Sequence, residues 1–253
     1  MKIQYCSDLH MEFSENKRYL KENPLKPVGD ILILAGDVVP FNLIDEHDDF
    51  FDCISGNFDL TYWIPGNHEY YHSDLAKREG RLYEEIRNNI FLVNNFSVTH
   101  DNVRFIFSTL WTKISTQNQW TVQQGLSDFQ VISYKGERLT AEKYNQQHEI
   151  GLSFISDKLD EKNNNTIVVT HHVPTLMNYP EKYKGDVLNE AFAVELCDLI
   201  ESSEATYWIY GHHHQYVASF KIGKTNMVSN QLGYVQYREH LGFDGGCIIT
   251  VND

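Results

Sequence analysis

Three short runs, Lys2–Cys6, Ile31–Ala35 and Leu60–Ile64, are almost continuously apolar, and each stops at a small or turn-forming residue, Ser7, Gly36 or Pro65. A strand with one wet face alternates apolar and polar residues. Runs without alternation belong in a sheet covered on both sides, the habit of α/β proteins. Further strands are expected over 90–93, Val103–Ser108, 166–170, 206–210, 216–220, Thr225–Val228 and 247–251.

Helices are expected over 73–89, 141–162 and 186–202. The first follows the start signal Ser73-Asp74 and carries Leu75, Leu82, Tyr83 and Ile86 near one face. The third follows Gly185 with Asp186 as N-cap and repeats Leu188, Phe192, Leu196 and Leu199 at helical spacing. Residues 162–166 read as a polar turn. The Gln-, Ser- and Thr-rich stretch 113–134 has no period and reads as an irregular insertion. With no repeat, linker or shift in composition, 1–253 is expected to be one domain, with an insertion around 113–150 over the active site.

Composition narrows the function. Hydrophobic residues make up 42% and charged residues 22% of 253, which fits a folded chain and excludes disorder. Thirty-five acidic against 21 basic residues give a net charge of −14, so the long-range field repels polyanions and no nucleic-acid polymer is expected as partner. The N-terminal segment meets Asp8 before an apolar signal region could complete itself. No run approaches the roughly 18 apolar residues of a spanning helix. Cytoplasmic location without membrane association is expected, with Cys6, Cys53, Cys197 and Cys247 as reduced core thiols and self-association left open.

Seven of the 12 histidines, His10, His68, His171, His172, His212, His213 and His214, lie at the ends of strand-like runs, together with Asp8, Asp37 and Asn67. Loops beyond the carboxyl ends of parallel strands converge on one crevice, so these residues point to a metal site. Carboxylate and amide oxygens mixed with imidazoles, without thiolate, suit manganese, iron or zinc. His172 and His213 are expected to support or pack rather than ligate, because neighbouring strand residues point to opposite faces. The acidic run 45–49 reads as a solvated loop, and His47, His72, His100, His148 and His240 as structural or solvated.

The ordered set Asp8-x-His10, Gly36-Asp37, Gly66-Asn67-His68-Glu69, Thr170-His171-His172-x-Pro174 and Gly211-His212-x-His214 resembles the signature of the calcineurin-like metallophosphoesterase superfamily. Thr109-Leu110-Trp111, Asp128-Phe129, Ala191–Leu196 and Asn230-x-x-Gly233-Tyr234 extend the resemblance to a bacterial branch. It implies an α/β fold: a four-layer α/β/β/α sandwich of two mixed β-sheets flanked by helices. It also implies two divalent metal ions (Mn, Fe or Zn), one on Asp8, His10 and His214, the other on Asn67, His171 and His212, with Asp37 bridging. Water activated between them would attack phosphorus while His68 assists the leaving group, which makes His68, Asp37 and Asn67 the catalytic set.

Trp111, Asp128 and His68 are the substrate-binding candidates, and Trp120, Phe129, Tyr134, Tyr179 and Tyr234 could line a groove. Departures from relatives matter. Pro40 stands where protein phosphatases of the superfamily carry an Asp and purple acid phosphatases a Tyr, so Glu69 becomes a substitute acidic partner for His68. Gln231-Leu232 replaces the branch's usual Pro-Arg. The expected substrate is a small-molecule phosphoester, a diester before a monoester, since no Arg or Lys cluster sits near the motifs. The alternatives are a phosphomonoesterase or a non-catalytic metal-binding scaffold.

Overall fold

In the computed structural model, which describes residues 1–161 and 165–251, the buried runs form two six-stranded sheets. The first contains β1 (Lys2–Cys6), β2 (Ile31–Ala35), β3 (Leu60–Ile64), β4 (Leu82–Arg87), β5 (Ile90–Asn94) and β14 (Ile248–Thr250). The second contains β6 (Phe96–His100), β7 (Val103–Ser108), β10 (Asn165–Thr170), β11 (Tyr207–Ile209), β12 (Phe220–Ile222) and β13 (Thr225–Val228). β8 (Ser133–Tyr134) and β9 (Glu137–Arg138) form a small separate ribbon. The orders are β14-β1-β2-β3-β5-β4 and β12-β13-β11-β10-β7-β6. Each sheet has four parallel central strands and an antiparallel strand at either edge.

Alternation inside the apolar runs sorts the side chains into layers. Ile31, Ile33 and Ala35 of β2 pack with Phe105, Phe107, Ile167 and Val169 between the sheets. Leu32 and Leu34 point the other way, onto a layer with Leu20 of α1 (Ser14–Glu22) and Phe51 and Ile54 of α2 (Asp48–Asn57). On the opposite flank Ile106, Val168 and Trp208 meet Ile155 of α5 (Ala141–Asp160) and Ile200 of α6 (Cys197–Ser203). The architecture is the α/β/β/α sandwich, and burial on both faces is why the strand runs carry few polar positions.

Several local expectations are corrected. Residues 73–89 are not a helix: after a short 3-10 turn at Leu75–Lys77 the chain reverses at Gly80, with φ +69°, and enters β4. There Leu82 is buried and Tyr83 is exposed, a period of two at the sheet edge. The 186–202 helix is broken into a 3-10 turn at Val187–Ala191 and the short α6. Between them the Val194 and Leu196 amides donate to the Val173 and Pro174 carbonyls, which pulls that stretch out of helix.

The stretch 113–134 contains α3 (Gln119–Gly125) and α4 (Asp128–Val131). Of the strand expected at 216–220 only Phe220 pairs, as the first residue of β12. The run 45–49 closes a 3-10 turn, and Asp48 and Asp49 begin α2, where carboxylates complement the helix dipole. The long helix ends at Asp160, its N-terminus capped by Thr140, whose Oγ1 accepts from the Lys143 amide at 3.3 Å. Residues 162–164 of the expected turn lie outside the described residues, and Asn165 and Thr166 belong to β10. Of the four free cysteines only Cys6 is a core thiol: Cys53 is exposed, and Cys197 and Cys247 are half-buried. Among the described residues no helix is long and apolar enough to cross a membrane.

Candidate metal centre

Five loops leave the carboxyl ends of parallel strands at the same end of the sandwich and carry Asp8 and His10 after β1, Asp37 after β2, Asn67 and His68 after β3, His171 after β10, and His212 and His214 after β11. All eight side chains are buried or nearly so. Six of them form two groups of converging donor atoms, Asp8, His10, Asp37 and His214, and Asp37, His171 and His212, and His68 forms a third with His10 and Glu12, each with its atoms within 4.8 Å of one another. His214 Nε2 is 3.2 Å from Asp8 Oδ1 and 2.9 Å from His10 Nε2. His171 Nε2 is 3.1 Å from His212 Nδ1 and 3.2 Å from Asn67 Oδ1. Asp37 Oδ2 lies between the first two groups, 3.7 Å from His10 Nε2 and 3.3 Å from His171 Nε2.

The far side of each ring explains this convergence. His171 Nδ1 faces the Ala35 carbonyl at 3.0 Å, His10 Nδ1 faces Glu12 at 3.1 Å, and His214 Nδ1 faces Glu239 at 2.9 Å. A ring that donates its Nδ1–H outward keeps a lone pair on Nε2 aimed inward, the arrangement that orients imidazole metal ligands. Asn67 is fixed in the same sense: its Nδ2 donates to Asp128 Oδ1 at 3.0 Å, which leaves Oδ1 facing His171. His212 turns Nδ1 inward, and its buried Nε2 has no hydrogen-bond partner. The donor set fits two divalent cations sharing Asp37, with oxygen and nitrogen ligands alone.

The backbone is distorted where these side chains are aimed. Asp8, His10, Asp37, His212 and His214 all adopt positive φ, between 46° and 81°, a region that costs a residue with a Cβ about 1–3 kcal/mol. The loops hold one another in place. The His68 amide donates to Asp37 Oδ1 at 2.9 Å, the His212 amide to Asp8 Oδ1 at 3.0 Å, and the His10 amide to the Asp37 carbonyl at 2.9 Å. Close approach demands glycine at two turns: a Cβ at Gly66 would stand 2.6 Å from His171 Nε2, and one at Gly211 2.6 Å from Asp8 Oδ2.

Glu69 is not the partner of His68. It is fully buried and accepts four hydrogen bonds, from the amides of Asp37, Val38 and Gly66 and from Trp63 Nε1, at 2.7–2.9 Å, so it braces the Asp37 and Asn67 loops from behind. The acidic partner is Glu12, whose Oε1 is 2.9 Å from His68 Nδ1. Burial opposes charge on His68, but the Asp37 and Glu12 carboxylates outweigh it and raise its pKa. The ring stacks on Tyr71 at 4.0 Å and leaves Nε2 3.4 Å from the Tyr234 hydroxyl. Glu12 lay hidden because its signal is only the spacing Asp8-x-His10-x-Glu12 on one loop, and nothing in the sequence marks Glu239.

A cavity of about 360 Å³ opens above the donors. Asp37, Asn67, His68, His212 and His214 form its floor, Tyr71, Tyr179, Phe192 and Tyr234 its aromatic sides, and Asp128 part of its wall, whereas no Lys or Arg lines it. Trp111 is corrected: it is 3% exposed and packed on Tyr70, Tyr144 and His172, away from the cavity. Phe129 is likewise core, Trp120 is 73% exposed, and Tyr134 does not reach the cavity. His172 sits tilted between Trp111 and His212, and His213 accepts the Gln215 amide at Nδ1; neither belongs to a donor group among the described residues. At the replaced pair, Gln231 Oε1 accepts the His214 amide at 2.7 Å, and Leu232 is fully buried.

The chain is 30% identical, over an alignment of 264 positions that covers 94% of this chain and 93% of the relative, to uncharacterized protein L509 of Acanthamoeba polyphaga mimivirus. Its fold superposes on phosphopantetheinyl hydrolase (PptH) of Mycobacterium tuberculosis with a TM-score of 0.74 at 15% identity, covering 99% of this chain and 96% of that one. It also superposes on GAP50, described as the anchor in the inner membrane complex of Plasmodium, with a TM-score of 0.50 at 15% identity, covering 92% and 71%. Residues 1–216 match the calcineurin-like phosphoesterase family, and the chain belongs to that family.

Proposed function

We propose that this protein is a binuclear metal-dependent phosphodiesterase acting on a small-molecule diester in a reducing, cytoplasmic setting. The observation that carries the reading is the position of Asp37, whose Oδ2 is shared by two of the donor groups. Asp8, His10 and His214 would hold one cation and Asn67, His171 and His212 the other, with manganese, iron or zinc matching the donors. Two such cations lower the pKa of a water and neutralise phosphoryl oxygens. His68, anchored at Nδ1 by Glu12 and facing the cavity at Nε2, donates a proton to the leaving oxygen. Tyr71 fixes the plane of that ring by stacking.

The diester preference rests on the cavity wall. A terminal phosphate dianion calls for Arg or Lys forks, and none lines this cavity, whereas a monoanionic diester needs fewer cations. The aromatic sides suit an apolar or ring-bearing leaving group. A scaffold with this fold would be free to lose donors, so the complete set supports turnover instead.

The test is hydrolysis of bis-p-nitrophenyl phosphate beside p-nitrophenyl phosphate by metal-stripped protein reloaded with each metal, with Asp37→Asn as control. Faster diester turnover that disappears in the variant is expected. Faster monoester turnover overturns the diester preference, and full activity in Asp37→Asn overturns the site.

A further inference from the structure

A second cavity, of about 240 Å³, lies between α1 and α2, on the outer face of the first sheet and outside the metal centre. Leu20, Leu25, Phe50, Ile54 and Phe58 line it, with Met11 beneath. Such walls select an apolar body, and the few polar groups among them set its orientation.

Lys17, Lys21, His47, Asp49, Cys53 and Asn57 supply those polar groups. Lys17 and Lys21, one helical turn apart on α1, both line the cavity and are exposed. Lys17 Nζ reaches only the Glu46 carbonyl, at 3.4 Å, and Lys21 has no partner among the described residues. His47 also lines the cavity. It is 3% exposed, and its ring nitrogens make no hydrogen bond among the described residues. The ring is therefore free to donate to a ligand oxygen in the cavity.

The carboxylates acting on His47 are Asp49, Glu46 and Glu12. Asp49, also on the wall, accepts the Phe50 amide at 3.0 Å, and Asp48 and Asp52 both pair with Arg87. The lining itself carries Lys17 and Lys21 against the single carboxylate of Asp49, a small positive excess in a chain of net charge −14. We propose that this cavity binds a free carboxylic acid with one unbranched apolar tail. The tail lies along Leu20, Ile54 and Phe58, and the carboxylate meets Lys17, Lys21 and His47.

Cys53 is exposed and lines the same cavity, so its alkylation by iodoacetamide reports occupancy, while Cys197 on the distant α6 serves as internal control. On the metal-loaded protein, decanoate should slow Cys53 alkylation saturably, by about fivefold or more, and leave Cys197 unchanged. Decyltrimethylammonium, with the same tail length and opposite charge, should protect Cys53 about fivefold less well at equal concentration. Replacing both lysines, Lys17→Ala with Lys21→Ala, should weaken half-saturation by roughly three- to tenfold. Equal protection by the two amphiphiles, parallel protection of Cys53 and Cys197, or unchanged half-saturation in the lysine variant overturns the proposal.

Discussion

Glu12 Oε1 stands 2.9 Å from His68 Nδ1 and 3.1 Å from His10 Nδ1, so one carboxylate orients both a donor-cluster imidazole and the imidazole facing the cavity. Burial pushes the Glu12 carboxyl up, but hydrogen bonds from the two rings prevail and hold it at about 2. Pro40 stands three residues after Asp37, and the carboxylate against His68 comes instead from the first loop.

Removing the partnership should cost turnover in a non-additive way. Glu12→Ala is expected to reduce diester kcat about 10–100-fold, as loss of an orienting partner does, and His68→Ala about 10²–10⁴-fold. The double variant should lose less than the product of the two single losses, because Glu12 acts partly through that ring and partly through His10. Steady-state kinetics with metal content measured on each sample checks this; fully additive losses would show that Glu12 acts elsewhere.

Asp128 pins both Asn67 and the Tyr71 hydroxyl, the latter at 2.8 Å. Asp128→Ala frees the Asn67 amide to rotate, so the Asp37–His171–His212 group should bind its cation roughly tenfold more weakly while the other group keeps its affinity. Calorimetric titration with Mn²⁺ should then resolve two unequal sites.

Gly66→Ala drives a methyl group against His171. A loss of about 1–3 kcal/mol is expected, seen as a Tm drop of roughly 3–10 °C, with metal affinity falling in parallel. An unchanged Tm and metal content would mean that the loop relaxes freely.

His148 is buried on α5 with Nδ1 2.5 Å from the Trp111 carbonyl, and burial lowers its pKa below the ordinary 6.5. The unfolded chain therefore takes up this proton before the folded one does. Its contribution is present above about pH 6.5 and is lost as pH falls below it, by at most about 1.4 kcal/mol per pH unit. In His148→Gln, urea-unfolding free energies between pH 7 and pH 5 should fall less steeply than in the parent protein.

Much of this molecule was legible in the chain because its signals are local and redundant. β1, β2, β3, β7 and β13 begin and end where their apolar runs do, and the donors follow strands whose direction is fixed by parallel pairing. The failures share a cause. Leu82, Tyr83 and Ile86 fit a helix face as well as an edge strand, and only pairing with β5 decides between them. Leu188, Phe192 and Leu196 keep helical spacing, yet the Val173 segment competes for their backbone. Glu12, Glu239 and the burial of Trp111 depend on contacts between distant loops, which spacing does not encode.

Each of the two donor groups that share Asp37 draws side chains from both sheets: Asp8 and His10 from the first with His214 from the second, and Asp37 from the first with His171 and His212 from the second. An ion held there rivets the seam of the sandwich at one end. The two sheets cannot slide or part without losing it, so cation concentration would set how firmly the halves are clasped. Chelation would loosen the seam from its chemical end and leave the aliphatic layer between the sheets to hold the opposite end alone.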